Sequence, residues 1–384
     1  MRKNVLICCL FIFAVVFTAV SCTDAIFYTI HQEVEPIDPF IKGAPSSFVI
    51  FKNDMYVASG STIYRYTGSW DTTTISPPGG RILQIASTKT LREYLYALCF
   101  TDTDSGIDFS LRRFDGSSSS WETLGGTDGY NSIQYIFAAN DVLFIGAKEK
   151  ADSDIYTVLY VDRDEKNAKP LINNNTGKNT TGEISGASFA GNYYISTRGN
   201  GIFSMSNPAS GATPISNSNR NFLGMISLNN NTIALITRGG EISTVTGSNY
   251  TPRVGSISFS SRFASGALAI WKNGDNMLLL AGRQDSLDYT VDSGYTYGYM
   301  ELELNSDGTI KSGTNFVEPG TGNRTITTTA DNDRFLSTIG KHPVNHIFQA
   351  SDGILFAATQ RNGVWSYRDR KDNGGYQWNA EAEE

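Results

Sequence analysis

From Val344 to Trp378 the chain reads VNHIFQASDGILFAATQRNGVWSYRDRKDNGGYQW. Its apolar residues gather in four short runs, Val344–Phe348, Ile354–Ala358, Val364–Tyr367 and Tyr376–Trp378, each alternating or nearly so. The gaps carry turn residues: Ser351-Asp352-Gly353, Arg361-Asn362-Gly363 and Asp372-Asn373-Gly374-Gly375. A period of two between such gaps is the mark of antiparallel strands joined by hairpins. The stretch therefore predicts a four-stranded meander. One meander cannot cover both of its own faces, so it also predicts copies of itself packed alongside.

Copies are present upstream. Hairpins of the same order occur at Met55–Trp70, Leu95–Trp121, Leu143–Val161, Tyr193–Met205, Ile233–Val245 and Leu278–Leu302, beside Leu355–Tyr367. Each follows a short apolar run that would be the innermost strand: Phe48–Phe51, Ile82–Ile85, Ile133–Phe137, Ile184–Phe189, Phe222–Ile226, Ala267–Trp271 and Val344–Phe348. Seven units between about residues 46 and 380, spaced by roughly 37 to 80 residues, predict an all-β fold, a seven-bladed β-propeller of four-stranded antiparallel blades. Rings of six or eight blades stay open as alternatives. The run Asn345–Tyr367, with Ile347, Asp352, Gly353, Leu355, Phe356, Thr359, Gly363, Trp365 and Tyr367, resembles the repeat of two-component-regulator sensor propellers, with one residue more between Thr359 and Gly363. The resemblance is good in this unit and loose in the other six. It implies an architecture and no activity.

The start of the chain has another character. Arg2 and Lys3 precede the apolar stretch Val5–Val20, which ends in Ser21-Cys22. A positive start, an apolar run too short to span a bilayer and a small residue before the cleavage point form an export signal. Ending at a cysteine, the segment resembles a bacterial lipoprotein signal, although Ala19 occupies a position where that family prefers Leu. The resemblance implies that residues 1–21 are removed and that Cys22 carries acyl chains of the palmitate kind. An ordinary cleaved signal with an incidental Cys22, and an uncleaved anchor helix, are the alternatives. Thr23 in place of Asp after the cysteine favours the outer membrane over the inner under the family's sorting rule, on either face. Residues 22–45, with Pro36, Pro39 and Pro45, read as a tether, with Ala25–Ile30 as a candidate strand closing the ring. The propeller domain would then span 46–384. The polar stretch Gly320–His342 reads as an insertion between the sixth and seventh units, and Ala380–Glu384 as a mobile tail.

Composition agrees. Gly 37, Tyr 19 and Phe 21, with 18% charged residues, suit a turn-rich β chain. With Cys8, Cys9 and Cys22 accounted for by the leader, Cys99 alone remains, so no internal disulfide holds the fold. Net charge is −7, and without Arg2 and Lys3 there are 29 basic against 38 acidic residues, or −9. An acidic chain without a basic run disfavours nucleic acid as a partner.

Candidate chemistry is sparse. Trp70, Trp121 and Trp378 follow aromatic-rich strands and read as packing between units. His342 and His346 lack companions for zinc. Asp102, Asp104 and Asp108 form a weak calcium pattern whose D-x-[DN]-x-[DN]-G order fails, so neither metal nor other cofactor is expected. No nucleophile elbow occurs, and no pair of carboxylates can be singled out. Two surfaces are candidates for binding. Aligning the units puts a basic residue at the turn between second and third strands in five of them, Lys148, Arg198, Arg238, Arg283 and Arg361, an arc suited to an anionic partner. Alternation puts Tyr295, Tyr297 and Tyr299 on one face, suited to glycan or a peptide strand. The expectation is a non-catalytic, monomeric envelope lipoprotein acting as a protein-binding scaffold, similar to the propeller lipoprotein of the outer-membrane assembly machinery. A surface adhesin or glycan-binding module is the alternative, and a propeller-type hydrolase a third.

Overall fold

The computed structural model describes residues 40–72, 75–89, 93–104, 106–117, 120–150, 155–256, 263–273, 276–284, 298–313, 339, 343–360, 362–370 and 375–381. Seven antiparallel sheets follow one another along the chain, each in strict meander order. Their innermost strands are Val49–Phe51, Arg81–Ser87, Tyr130–Ala139, Glu183–Ala190, Phe222–Ser227, Phe263–Asn273 and Val344–Gln349. The sheets are the blades of a β-propeller. Among the described residues six have four strands and blade 6 has three, with the bridge Leu304–Ile310 beside the third. The hairpin Ile172–Asn173 with Lys178–Asn179 is an addition between blades 3 and 4. Among the described residues helical conformation is confined to the 3-10 turn Pro208–Ser210 and to Ile339, and no helix is long and apolar enough to cross a membrane.

Alternation sends every second side chain of a blade to one neighbour and the rest to the other. The buried apolar residues accordingly form seven clusters, each made of residues from two adjacent blades, and the seventh joins blade 7 to blade 1. The tryptophans lie in these seams as the sequence suggests. Trp70 meets Phe356 of blade 7 edge to face at 5.4 Å, Trp378 meets Tyr299 of blade 6 at 5.6 Å, and Trp121 donates to the Ser76 carbonyl at 2.7 Å. Cys99 is buried in the second strand of blade 2, and burial pushes its thiol up to about 11, which makes it unreactive.

The ring is sealed by a segment outside the seven repeats. The Phe40 amide donates to Glu381 O, Gly43 O accepts from Gly363 N at 2.9 Å, and Ile41 is buried against Phe356, Ala358 and Val364. The end of the tether thus fills the role that strand-four-to-strand-one connectors fill elsewhere. The candidate closing strand Ala25–Ile30 lies outside the described residues. Two expectations need correction. Ala380 and Glu381 are not a mobile tail: the Glu381 amide bonds Val364 O at 3.0 Å and its carboxylate reaches Ser366 and Arg368. The 320–342 insertion is not wholly outside the core either, since Ile339 is buried between blades 6 and 7. An isolated apolar residue in a polar stretch gives no periodic signal, which is why the sequence hid it.

Candidate functional site

The innermost strands surround a central channel of about 750 Å³. Its wall has a feature that the repeat pattern did not disclose. In blade 2 the register with the second strand slips between Ile82 and Gln84, leaving Leu83 as an extra residue. The same slip leaves Gln134 in blade 3, Ser185 in blade 4, Leu223 in blade 5 and Asn345 in blade 7. Blade 6 has a wider slip between Ala264 and Leu268. In blade 1, the register Val49–Tyr56 would set Ser47 opposite Ala58, yet it is Ser46 whose amide bonds Ala58 O, at 2.7 Å. Every blade therefore carries a bulge at one level of the channel. A bulge bends the strand and re-aims a side chain; the bulge residues of blades 2 to 7 all line the channel. Leu83 is 44% exposed there.

A sequence signal for this ring exists. Core anchors in these strands are three apart (Ile82 and Ile85, Ile133 and Ile136, Phe222 and Met225, Val344 and Ile347), where simple alternation gives two or four.

Neighbouring inner strands are tied at the same level. The Ser47 hydroxyl donates to Ile85 O at 2.6 Å, and Gln84 Oε1 accepts from Ile136 N at 3.0 Å. Between blades 5 and 6 the strands touch backbone to backbone: a Cβ on Gly224 would lie 2.0 Å from Gly266 O, and one on Gly266 would lie 2.5 Å from Leu223 O. Tyr135 and Phe137 stack at 6.3 Å on the wall of blade 3.

Charge in the channel is one-sided. Among the described lining residues the charged ones are Lys89 and Arg198, with no carboxylate. Arg198 is 44% exposed and its Nη1 bonds both Glu183 oxygens at 3.0 Å. Burial, with the Glu183 charge added, raises the Tyr135 phenol beside this pair. His346 also lines the channel, and burial pushes its imidazole down from 6.5 to about 4, so it is neutral at pH 7. A base depressed on folding binds its proton more readily in the unfolded chain, so it weakens folding as pH falls from about 6.5 to about 4. The expected loss is at most about 3 kcal/mol over that window and nil above it. Urea unfolding at pH 7 and pH 4.5 should show the loss, and His346→Asn should diminish it; an equal loss in both proteins would refute the assignment.

The predicted basic arc is broken. Its residues belong to second-to-third-strand turns, which the meander puts at one mouth, but their side chains differ. Lys148 Nζ sits 5.1 Å from the Tyr156 ring centre, Arg198 is engaged by Glu183, and Arg238 is exposed. Arg283 is 2% exposed, because its strand position points into the blade rather than out of the turn. Arg361 lies outside the described residues. The aromatic face is corrected too: Tyr299 is 1% exposed and packs on Trp378, while Tyr295 and Tyr297 lie outside the described residues. Asp102, Asp104 and Asp108 are all exposed; Asp108 pairs with Thr101 and Asp102 with Ile107, so Asp102 and Asp108 face opposite sides of the hairpin. His342 lies outside the described residues, as does Cys22. Among the described residues no three metal-ligating side chains converge.

No protein-family model matches the chain, and no curated protein is similar to it in sequence. Solved structures share its fold. The extracellular domain of a protein described as a hybrid two-component system of B. thetaiotaomicron matches with a TM-score of 0.53 at 15% identity, over 87% of this chain and 40% of that one. The GH74 enzyme of Niastella koreensis matches at 0.57 and 12%, over 91% and 55%. YCF48 bound to D1 peptide matches at 0.52 and 12%, over 87% and 94%. This chain thus spans about half or less of the first two. At these identities the likeness is one of architecture: the protein is a seven-bladed β-propeller.

Proposed function

We propose that this propeller is a non-catalytic binding module of the cell envelope, held to a membrane through an acylated Cys22, and that its partner is a protein. The observation that carries the reading is the channel wall: amide, hydroxyl and apolar side chains on a rigid ring, without a carboxylate among the described lining residues. Glycoside hydrolysis by the usual route needs two carboxylates flanking the bond. Recognition needs a concave site that combines apolar surface with placed polar groups, and this channel, walled by both kinds of side chain, supplies it. YCF48, one of the fold neighbours, was solved with a peptide. The export signal and Cys22 support the envelope setting.

The native protein, solubilised from membranes in detergent and passed through gel filtration, should retain a protein partner, while Cys22→Ser should move the chain to the aqueous fraction. Release of reducing ends from xyloglucan by the purified protein would refute the non-catalytic reading, and a chain that stays with the membrane in Cys22→Ser would refute the lipid anchor.

A further inference from the structure

We propose that the ring of bulges is a receptor for an extended peptide segment that carries a carboxylate; this rests on the protein-binding reading above and names its site. Four observations converge. First, the channel's volume of about 750 Å³ falls in the range of sites that enclose a ligand. Second, the Gln134 and Asn345 side chains, which line it from blades 3 and 7, make no hydrogen bond within the described protein. A primary amide offers a donor and an acceptor together, which is what a peptide unit presents in return. Third, the innermost strands pair in a sheet on one side only, with their second strands, so the channel wall presents strand edges, capped in part by side chains of the next blade as at Ile85 O and Ile136 N. Exposed edges are bound by extended chains, and alternate side chains then seek apolar sockets. Leu83, Leu223 and Met225 supply such surfaces on the wall.

Fourth, the charge is complementary to an anion. Arg198 gives only Nη1 to Glu183; its Nε and Nη2 make no hydrogen bond among the described residues, and the residue lines the channel. A guanidinium with a free edge beside two free amides is suited to a carboxylate held in a defined direction. Nucleic acid, a polyanion, fits neither the acidic chain nor a wall with two cations.

The test uses the full chain in detergent with two pools of fluorescein-labelled, C-terminally amidated hexapeptides. Both are random in Ala, Leu, Val, Phe, Ser and Thr except for one fixed position, Glu in one pool and Gln in the other. Fluorescence anisotropy should show the Glu pool binding about tenfold more tightly. That advantage should vanish in Arg198→Gln and survive in Arg198→Lys, while the double variant Gln134→Ala/Asn345→Ala should weaken both pools alike. Because these side chains are partly exposed, thermal melts of the variants should match the native protein, and Arg198→Lys guards against misreading a folding defect. Equal binding of the two pools, or an advantage kept in Arg198→Gln, overturns the proposal. A partner retained equally by the native protein and all these variants overturns the channel as the site but leaves the protein-binding function. Loss of every partner and of both pools in the native protein overturns both.

Discussion

Gly224→Val is expected to destabilise the protein by at least about 3 kcal/mol, beyond the usual cost of overpacking a core. The reason is where the collision falls. The new Cβ would lie 2.0 Å from Gly266 O and 2.9 Å from Gly266 C, and neither atom can rotate away. Elsewhere an enlarged residue meets a side chain that changes rotamer; here it meets the main chain of the next blade, which is itself held by a seam on its far side. The two blades can separate only if the whole ring widens, which strains every other seam. Gly199→Ala is the control. Its backbone is left-handed, with φ of 87°, but nothing lies within 4 Å of the added atom, so it should cost only about 1 kcal/mol. Urea denaturation of both variants decides the matter. A loss below about 1 kcal/mol for Gly224→Val would mean that the inner strands of blades 5 and 6 are not in contact.

The second large effect is expected at the seal. Ile41→Asp puts a carboxylate where Phe356, Ala358 and Val364 surround a fully buried side chain. The apolar burial forgone is worth about 2 kcal/mol, and an unpaired buried charge adds several more. A total near 5 kcal/mol rivals the whole stability of many domains. The variant should therefore lose its near-ultraviolet circular dichroism at urea concentrations that leave the native protein folded. Ile41→Val, which removes one methylene, should cost about 1 kcal/mol. If Ile41→Asp unfolds at the native midpoint, the ring does not depend on its leader for closure.

How much of this was legible beforehand follows from the physics of each signal. All seven innermost strands could be found from the apolar runs, because alternation bounded by Gly, Asn and Asp is set by local backbone geometry. The bulges were missed although Ile82-Leu83-Gln84-Ile85 and its counterparts spell them out; an extra residue in a run of five or six looks like irregular alternation unless several strands are compared. Arg283 and Tyr299 were misplaced for a different reason. Both belong to blade 6: Arg283 was expected in a turn, but the second strand Asn276–Gln284 runs on through it, while Tyr299 was expected on a strand and begins the strand Tyr299–Leu304, on a face that Trp378 of blade 7 covers. An arginine in a turn is solvated, but the same arginine one position inside a strand follows the face that its register assigns.

The seal also bears on how the chain comes into being. The last seam joins Ile41, Phe48, Met55 and Tyr66 to Phe356, Ala358 and Val364, residues some 300 positions apart. Every other seam joins neighbours in sequence and can form as soon as its second blade emerges. Contacts of such long range are slow to form, because a long loop must close before they stabilise anything. Until blade 7 is made, the aromatic flank of blade 1, with Phe48, Tyr66 and Trp70, has no cover. An unfinished chain therefore presents an uncovered aromatic surface at its oldest end, and it needs a holdase there more than at any later blade.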